Sequence, residues 1–375
     1  MKYCLLFFLY FMPLYCLAQK QISLENQSSI KTAIKLSSIA SEIQNIPLET
    51  MNDCILSSDL AVCSTSEYIF IADIYTGSFY RFDKRGKFLN RIGRSGQGPG
   101  EYSQALCFSV DDINKQVYLI DSFVKKILVY SYEGKYLQTI PLEAPTYMFV
   151  KNKDLFYYYD INYLHSKYEL YQTDLKGKVI KRSQTTDKQK NNFSLQMPFF
   201  YQYNGNLYYK NTASETIWEI DSSLNKKPAY KIDLGKYEKD KNERGFEIQG
   251  NKIRSINKRN SITLSDFAET DKYIFISFSL GNEDCMAIYD KKKSNVQIPI
   301  SEKKYGLIDD ISGGPMVIYR SNVAAHCTST IPNELVSVLQ CGDLDFSQYT
   351  QGEFANIIKN LNEDSNPIIR IIKIK

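Results

Sequence analysis

The chain has 375 residues, 43% hydrophobic and 23% charged, which excludes wholesale disorder, a collagen-like rod and a multi-span membrane protein. Its net charge of +4 is too small to mark a nucleic-acid binder, and two histidines, His165 and His326, are too few for a His-rich metal site. The unusual figure is 29 Tyr beside 20 Phe and a single Trp, a composition that leans towards strands with half-buried faces.

Residues 1–18 read as a secretory signal. Lys2 precedes an apolar run from Tyr3 to Tyr15, and Cys16-Leu17-Ala18 supplies a small-x-small end, so cleavage is expected after Ala18. The run is too short for a membrane-spanning helix. Lipid anchoring through Cys16 is the weaker reading, because bulky Tyr15 stands where a small residue is expected. The mature chain is therefore expected to be exported, periplasmic or extracellular, with no transmembrane segment. It loses Lys2, so its charge falls to +3.

Residues 19–42 form a leader, and from residue 43 onwards a strand-and-turn phrase repeats. Phe79-Tyr-Arg-Phe-Asp83-Lys-Arg-Gly86 is echoed by Ile127-Leu-Val-Tyr-Ser131-Tyr-Glu-Gly134 and by Leu170-Tyr-Gln-Thr-Asp174-Leu-Lys-Gly177. Glycine at the same place suits a hairpin turn with a positive φ. Weaker copies end at Asp221 and Asp290. Spacings of 48, 43 and 47 residues between successive anchors match a four-stranded propeller blade, and the gap of 69 implies an insertion.

The phrase extends to full blades. Second strands are predicted at 68–73, 116–121, 154–160, 206–211, 272–278 and 316–321. Third strands are predicted at 79–83, 127–131, 168–174, 216–221, 286–290 and 368–374. Only five outer strands follow them, at 88–93, 136–143, 179–184, 229–235 and 296–301. The sixth is expected at the other end of the chain, because Ile43-Gln-Asn-Ile-Pro-Leu-Glu49 nearly duplicates Leu137-Gln-Thr-Ile-Pro-Leu-Glu143. An N-terminal strand beside 368–374 would close the ring and remove an exposed edge.

The phrases Ile46-Pro-Leu-Glu-Thr50, Arg91-Ile-Gly-Arg-Ser-Gly-Gln-Gly-Pro-Gly-Glu-Tyr102 and Asp364-Ser-Asn-Pro367-Ile-Ile-Arg-Ile-Ile-Lys resemble exported bacterial six-bladed β-propeller proteins, relatives of the NHL-repeat propellers. The resemblance spans nearly the whole mature chain. It implies an all-β, six-bladed β-propeller of four-stranded antiparallel blades over 43–375, and it brings no common activity with it.

Two insertions interrupt the repeat. Residues 236–259 carry eight Lys and Arg against four Asp and Glu, either a basic arm for an anionic partner or a solvated loop. Residues 322–366 hold Thr350-Gln-Gly-Glu353, which looks like a capping box, followed by an apolar stripe at Phe354, Ile357, Ile358 and Leu361. A helix over the propeller is expected there, and 333–339 reads as a second short one.

Up-and-down connectivity places the loops between second and third strands on one face of the disc. The links from each outer strand to the next blade share that face. It should therefore hold Tyr75, Arg94, Gln97, Glu101, Tyr102, Phe123, Lys125, Tyr163 and His165, a mixture of aromatics, amides and charges able to stack on a sugar or grip a peptide. The run Gly93–Gly100 lacks the Lys-Ser/Thr and helix of a P-loop. Asp73, Asp121 and Asp160 recur at strand ends as turn caps. No C-x-x-C or nucleophile motif occurs, so no metal, cofactor or catalytic residue is assigned. After cleavage six cysteines remain; Cys54, Cys63 and Cys107 read as core, and Cys327 with Cys341 is the pair that invites a disulfide. The expected function is a non-enzymatic binding or scaffold protein of the bacterial envelope, with a glycan, peptide or protein as partner and no nucleic acid. The alternative is a hydrolase or lyase with carboxylates in the central funnel.

Overall fold

A computed structural model describes residues 20–24, 31–103, 105–121, 124–160, 166–184, 198–211, 215–235, 237, 245–249, 252–256, 262–281, 283–319 and 326–375. The expected signal at 1–18 lies outside them.

Six sheets surround one axis. From the axis outwards, blade one is Leu60–Ser64, Tyr68–Asp73, Ser78–Asp83 and Phe88–Arg91. Blade two is Ala105–Asp111, Gln116–Asp121, Lys126–Ser131 and Tyr136–Pro141. Blade three is Phe149–Asn152, Leu155–Tyr159, Tyr168–Asp174 and Val179–Gln184. Blade four is Phe199–Tyr203, Asn206–Lys210, Thr216–Ile220 and Lys226–Asp233, and blade five is Ile262–Glu269, Tyr273–Leu280, Glu283–Asp290 and Asn295–Ser301. In blade six Ile368–Ile374 pairs antiparallel with Glu334–Leu339 on one side and with Ala40–Pro47 on the other, Ile369 opposite Ile46.

The aromatic excess follows from this stacking. Blades pack face to face in wedges, so second and third strands are buried on both faces: Ile69, Phe70, Ile71 and Ala72 are all within 1% of full burial. Large rings fill the wedges and span neighbouring blades, as in Phe79–Phe108, Tyr118–Phe156, Tyr159–Tyr209 and Phe199–Phe267, with centroids 5.3–6.3 Å apart. Such pairs contribute about 0.5–1.5 kcal/mol beyond the area they bury.

The recurring turn also has a tertiary cause. Asp83 Oδ1 accepts the Arg85 and Lys87 amides at 2.8 and 2.9 Å, and Asp174 repeats this with Lys176 and Lys178. Gly86, Gly134 and Gly177 take φ of 84°, 83° and 83°. Each also presses on the preceding blade: a Cβ would lie 2.0 Å from Pro47 O, 2.4 Å from Arg91 O and 2.2 Å from Pro141 O, respectively.

Blade six departs from the sequence reading. The strand beside Ile368–Ile374 is Glu334–Leu339, not 316–321, and 333–339 is not a helix. The apolar run there fits either period, but Val336 and Val338 are β-branched and face Ile371 and Ile369 across the pair. Residues 316–319 lie nearer the axis, where Ser337 Oγ donates to Ile318 O at 2.8 Å. Chain then returns as Cys327–Ser329, which runs parallel to the innermost strand of blade one, Cys327 opposite Val62. The helix Glu353–Ile358 is short; Phe354 and Ile358 pack with Cys341 and Ile368. Its N-cap is Gly352 at φ 93°, with no side-chain cap, so the capping box is not made.

Candidate binding face

Asp73 closes the second strand of blade one and is fully buried. Its carboxylate accepts Ser57 N at 2.9 Å, Ser57 Oγ at 2.7 Å and Thr76 N at 3.0 Å. It therefore staples the entering link to the next loop. Blade two repeats the device: Asp121 accepts Ser103 N and Oγ, both at 2.7 Å. Asp160 is buried at the matching place in blade three, and its amide donates to Glu169 O. The first two carboxylates are thus spent on loop geometry.

Those staples hold up exposed apolar residues. Tyr75, two residues beyond Asp73, is 85% exposed, and Ile55, two before Ser57, is 61% exposed. Met51 at 37% lies on the same link into blade one, and Val124 at 52% on the corresponding loop of blade two. Arg94, Gln97 and Lys125 are exposed as well.

The Gly-rich loop between blades one and two contains its own anion. Glu101 Oε2 accepts the Gly98 amide at 2.8 Å, and Arg94 Nε donates to Oε1 at 2.5 Å. A Cβ on Gly96 would fall 2.0 Å from Oε2, so glycine there makes room for the carboxylate. The Gly98 amide, followed by Arg94, holds Glu101 below the ordinary carboxylate range. Tyr102 is 1% exposed and packs edge-on against Phe79. Tyr102 is therefore core, and Glu101 is a loop brace. Tyr75, Arg94, Gln97 and Lys125 remain on the open face, while Phe123, Tyr163 and His165 lie outside the described residues. Sequence reasoning missed Ile55 and Met51, which carry no motif; they lie on the link before the innermost strand of blade one, which begins at Leu60.

The axis holds a different constellation. Asp266, on the innermost strand of blade five, is 3.0 Å from His326 Nδ1 through Oδ2, and the Tyr319 hydroxyl bonds the same carboxylate. Burial by itself would lower the His326 pKa, but the charge and hydrogen bond of Asp266 outweigh it and raise the pKa. A histidine pKa raised on folding stabilises the fold fully below about 6.5, its ordinary value, and the gain is lost as pH rises through the folded pKa. Urea unfolding of the wild type should therefore weaken from pH 5.5 to 8.5 relative to His326→Gln. Parallel pH curves for the two would discard this coupling.

All six cysteines among the described residues are free thiols, Cys327 and Cys341 included, which corrects the suggested bridge. Five are buried within the sheets and their packing. Desolvation pushes Cys54, Cys285 and Cys327 up to about 12. They act as small hydrophobes, and nothing about them favours a reactive thiolate. Among the described residues no three His, Cys, Asp or Glu side chains form a metal-holding group. No helix among them is long and apolar enough to cross a membrane.

Residues 19–373 match a protein family described as a domain of unknown function, DUF4934. The chain belongs to that family. No curated protein matches the sequence. Among solved structures, a Bacteroides fragilis protein inferred to be exported aligns with a TM-score of 0.72 and 20% identity, over 95% of this chain and 99% of that one. At that identity the likeness establishes the fold. A DUF4221 member from Bacteroides vulgatus aligns at TM-score 0.46 and 9% identity, covering 69% of this chain and 84% of its own. Virginiamycin B lyase from Staphylococcus aureus aligns at 0.44 and 10%, covering 79% and 80%. These two fits are too loose to carry any function to this DUF4934 chain.

Proposed function

We propose that this DUF4934 protein is an exported, non-catalytic binding propeller of the bacterial envelope, which engages a glycan, a peptide or a partner protein on the loop-bearing face of blades one and two. The observation that carries the reading is the set of Ile55, Tyr75 and Val124 held open to solvent by the Asp73 and Asp121 staples. An exposed aromatic on a rigid support binds at low entropic cost. The neighbouring carboxylates Asp73, Asp121 and Glu101 are already engaged by protein donors, which disfavours acid–base chemistry at this place. Export is supported by the signal-like start of the sequence and by the inferred export of the Bacteroides fragilis relative in fold.

The test is a screen of the mature protein against glycan arrays and envelope extracts, followed by Tyr75→Ala and Arg94→Ala. Loss of a central aromatic contact costs about 2 kcal/mol, roughly thirtyfold in Kd. Tyr75→Ala should reach that with an unchanged unfolding midpoint, and Arg94→Ala should lose less. Full affinity in both variants would remove the site. Turnover of the bound ligand would favour the hydrolase or lyase alternative.

A further inference from the structure

The described part of the N-terminal segment lies along three of the six outer walls of the ring. Lys20–Ser23 runs parallel to the outer strand of blade four, and Lys31–Thr32 runs parallel to that of blade five. Ala40–Pro47 is itself outermost in blade six. Ile22 and Leu24 bury completely against Ile232 and Leu234. On blades one to three no strand among the described residues lies outside Phe88–Arg91, Tyr136–Pro141 or Val179–Gln184. Leu89, Tyr136, Leu137 and Ile180 are left 37–49% exposed on these three strands.

The bare half is also cationic. On blade one Arg85, Lys87 and Arg91 are exposed, and residues 84–91 contain no carboxylate. Blade two adds Lys135 against Glu133. On blade three Lys176, Lys178, Lys181 and Arg182 are exposed, and residues 175–184 again contain no carboxylate. Eight exposed cations therefore face three exposed acids on this half of the ring, Glu49 beside Phe88, Glu133, and Glu143 beside Arg182. Arg182 is partly neutralised by Glu143, and Lys181 donates to Ser223 O. Lys176 and Lys178 extend from the turn below them.

The three edges are not equally open. Blade one offers four residues, and blade two ends in Pro141, which has no N–H to give. Blade three offers six residues without proline. Its pairing with Tyr168–Asp174 carries two register shifts, and the blade-four edge that accepts the leader carries one as well.

We propose that the outer strand of blade three, Val179–Gln184, is a docking edge for an extended acidic segment of a partner protein. The segment adds as a further strand, as the leader does on blade four, with its backbone on the open edge, apolar residues on Ile180 and carboxylates on the surrounding lysines. This wall is separate from the Tyr75 face, so either proposal stands if the other falls.

The probe is a fluorescein-labelled peptide of alternating Glu and Ile, titrated into the mature full chain. The comparisons are the same peptide with alternate amides N-methylated, polyglutamate and a sulfated polysaccharide. Strand docking predicts that N-methylation weakens binding about tenfold or more, the value of roughly one or two hydrogen bonds. Lys176→Glu with Lys178→Glu, and separately Ile180→Asp, should each weaken it by about tenfold while leaving the urea midpoint and Tyr75-dependent binding unchanged. Equal binding of the N-methylated peptide, or of polyglutamate or the polysaccharide, would overturn strand docking in favour of a general polyanion wall. Absence of binding to the alternating peptide would overturn it outright.

Discussion

Replacing Asp309 with alanine is expected to lower the unfolding free energy by about 3–5 kcal/mol, because it strands a buried guanidinium. Arg370 lies in the C-terminal strand Ile368–Ile374 and is 1% exposed. Its Nη2 donates to Asp309 Oδ2 at 2.6 Å, its Nη1 to Pro315 O at 2.8 Å, and its Nε to Asn45 Oδ1 at 3.0 Å. One side chain thus joins the C-terminal strand, the N-terminal strand and the loop before 316. Asp309 in turn accepts the Ser312 amide and hydroxyl at 2.9 and 2.5 Å. Burial draws the Arg370 pKa down, and Asp309 opposes the fall. Urea unfolding followed by the single Trp218 measures the effect. Asp309→Ala with Arg370→Met should cost less than the two single changes added together, since the stranded charge is then gone. A cost below about 1 kcal/mol for Asp309→Ala, or strict additivity in the double variant, would show that the pair does not join the termini energetically.

The second large effect is expected at Gly177. A Cβ there meets Pro141 O at 2.2 Å and must also adopt φ 83°. The left-handed backbone costs about 1–2 kcal/mol in any non-glycine residue, and forcing two blades apart adds about 1–3. Gly205 provides the control, for it has φ 74° but nothing within 4 Å of a Cβ. Gly177→Ala should destabilise by about 2–5 kcal/mol and Gly205→Ala by about 1–2. The difference between them isolates the contact between blades. Equal costs would leave only the turn conformation as the reason for glycine.

Glycine 177 also shows how far sequence can be read. Its recurrence with Gly86 and Gly134 revealed both the blade period and a positive φ, because turn chemistry is local. Its pressure on the preceding blade was invisible, because Pro141 is 36 residues away and contact across blades leaves no periodic trace. Strand edges were equally legible where both faces are buried: Tyr68–Asp73, Gln116–Asp121 and Tyr168–Asp174 have the bounds expected from the apolar runs that end at an aspartate. In blade six the same logic misplaced a strand, because two apolar runs competed and only the partner Ile368–Ile374 decides between them.

The candidate site was half legible. Tyr75, Arg94, Gln97 and Lys125 follow from connectivity, which assigns loops to faces. Tyr102 and Glu101 do not, since nothing in a Gly-rich phrase says that its glutamate folds back into the loop or that its tyrosine turns inward. The pairing of Asp266 with His326 joins residues 60 apart and has no motif at all.

By itself the sequence determined the repeat, the number of blades, the hairpin turns and the excess of aromatic residues, all consequences of short-range periodicity in a chain that must bury both faces of its strands. Tertiary structure alone decided how the charge is spread. The outer wall of blades one to three gathers eight exposed lysines and arginines on its turns and strands. Each outer strand contributes only a few lysines and arginines, unremarked in sequence. They become one surface because the ring brings strands some forty residues apart side by side, while the described part of the N-terminal segment lies along the other three walls.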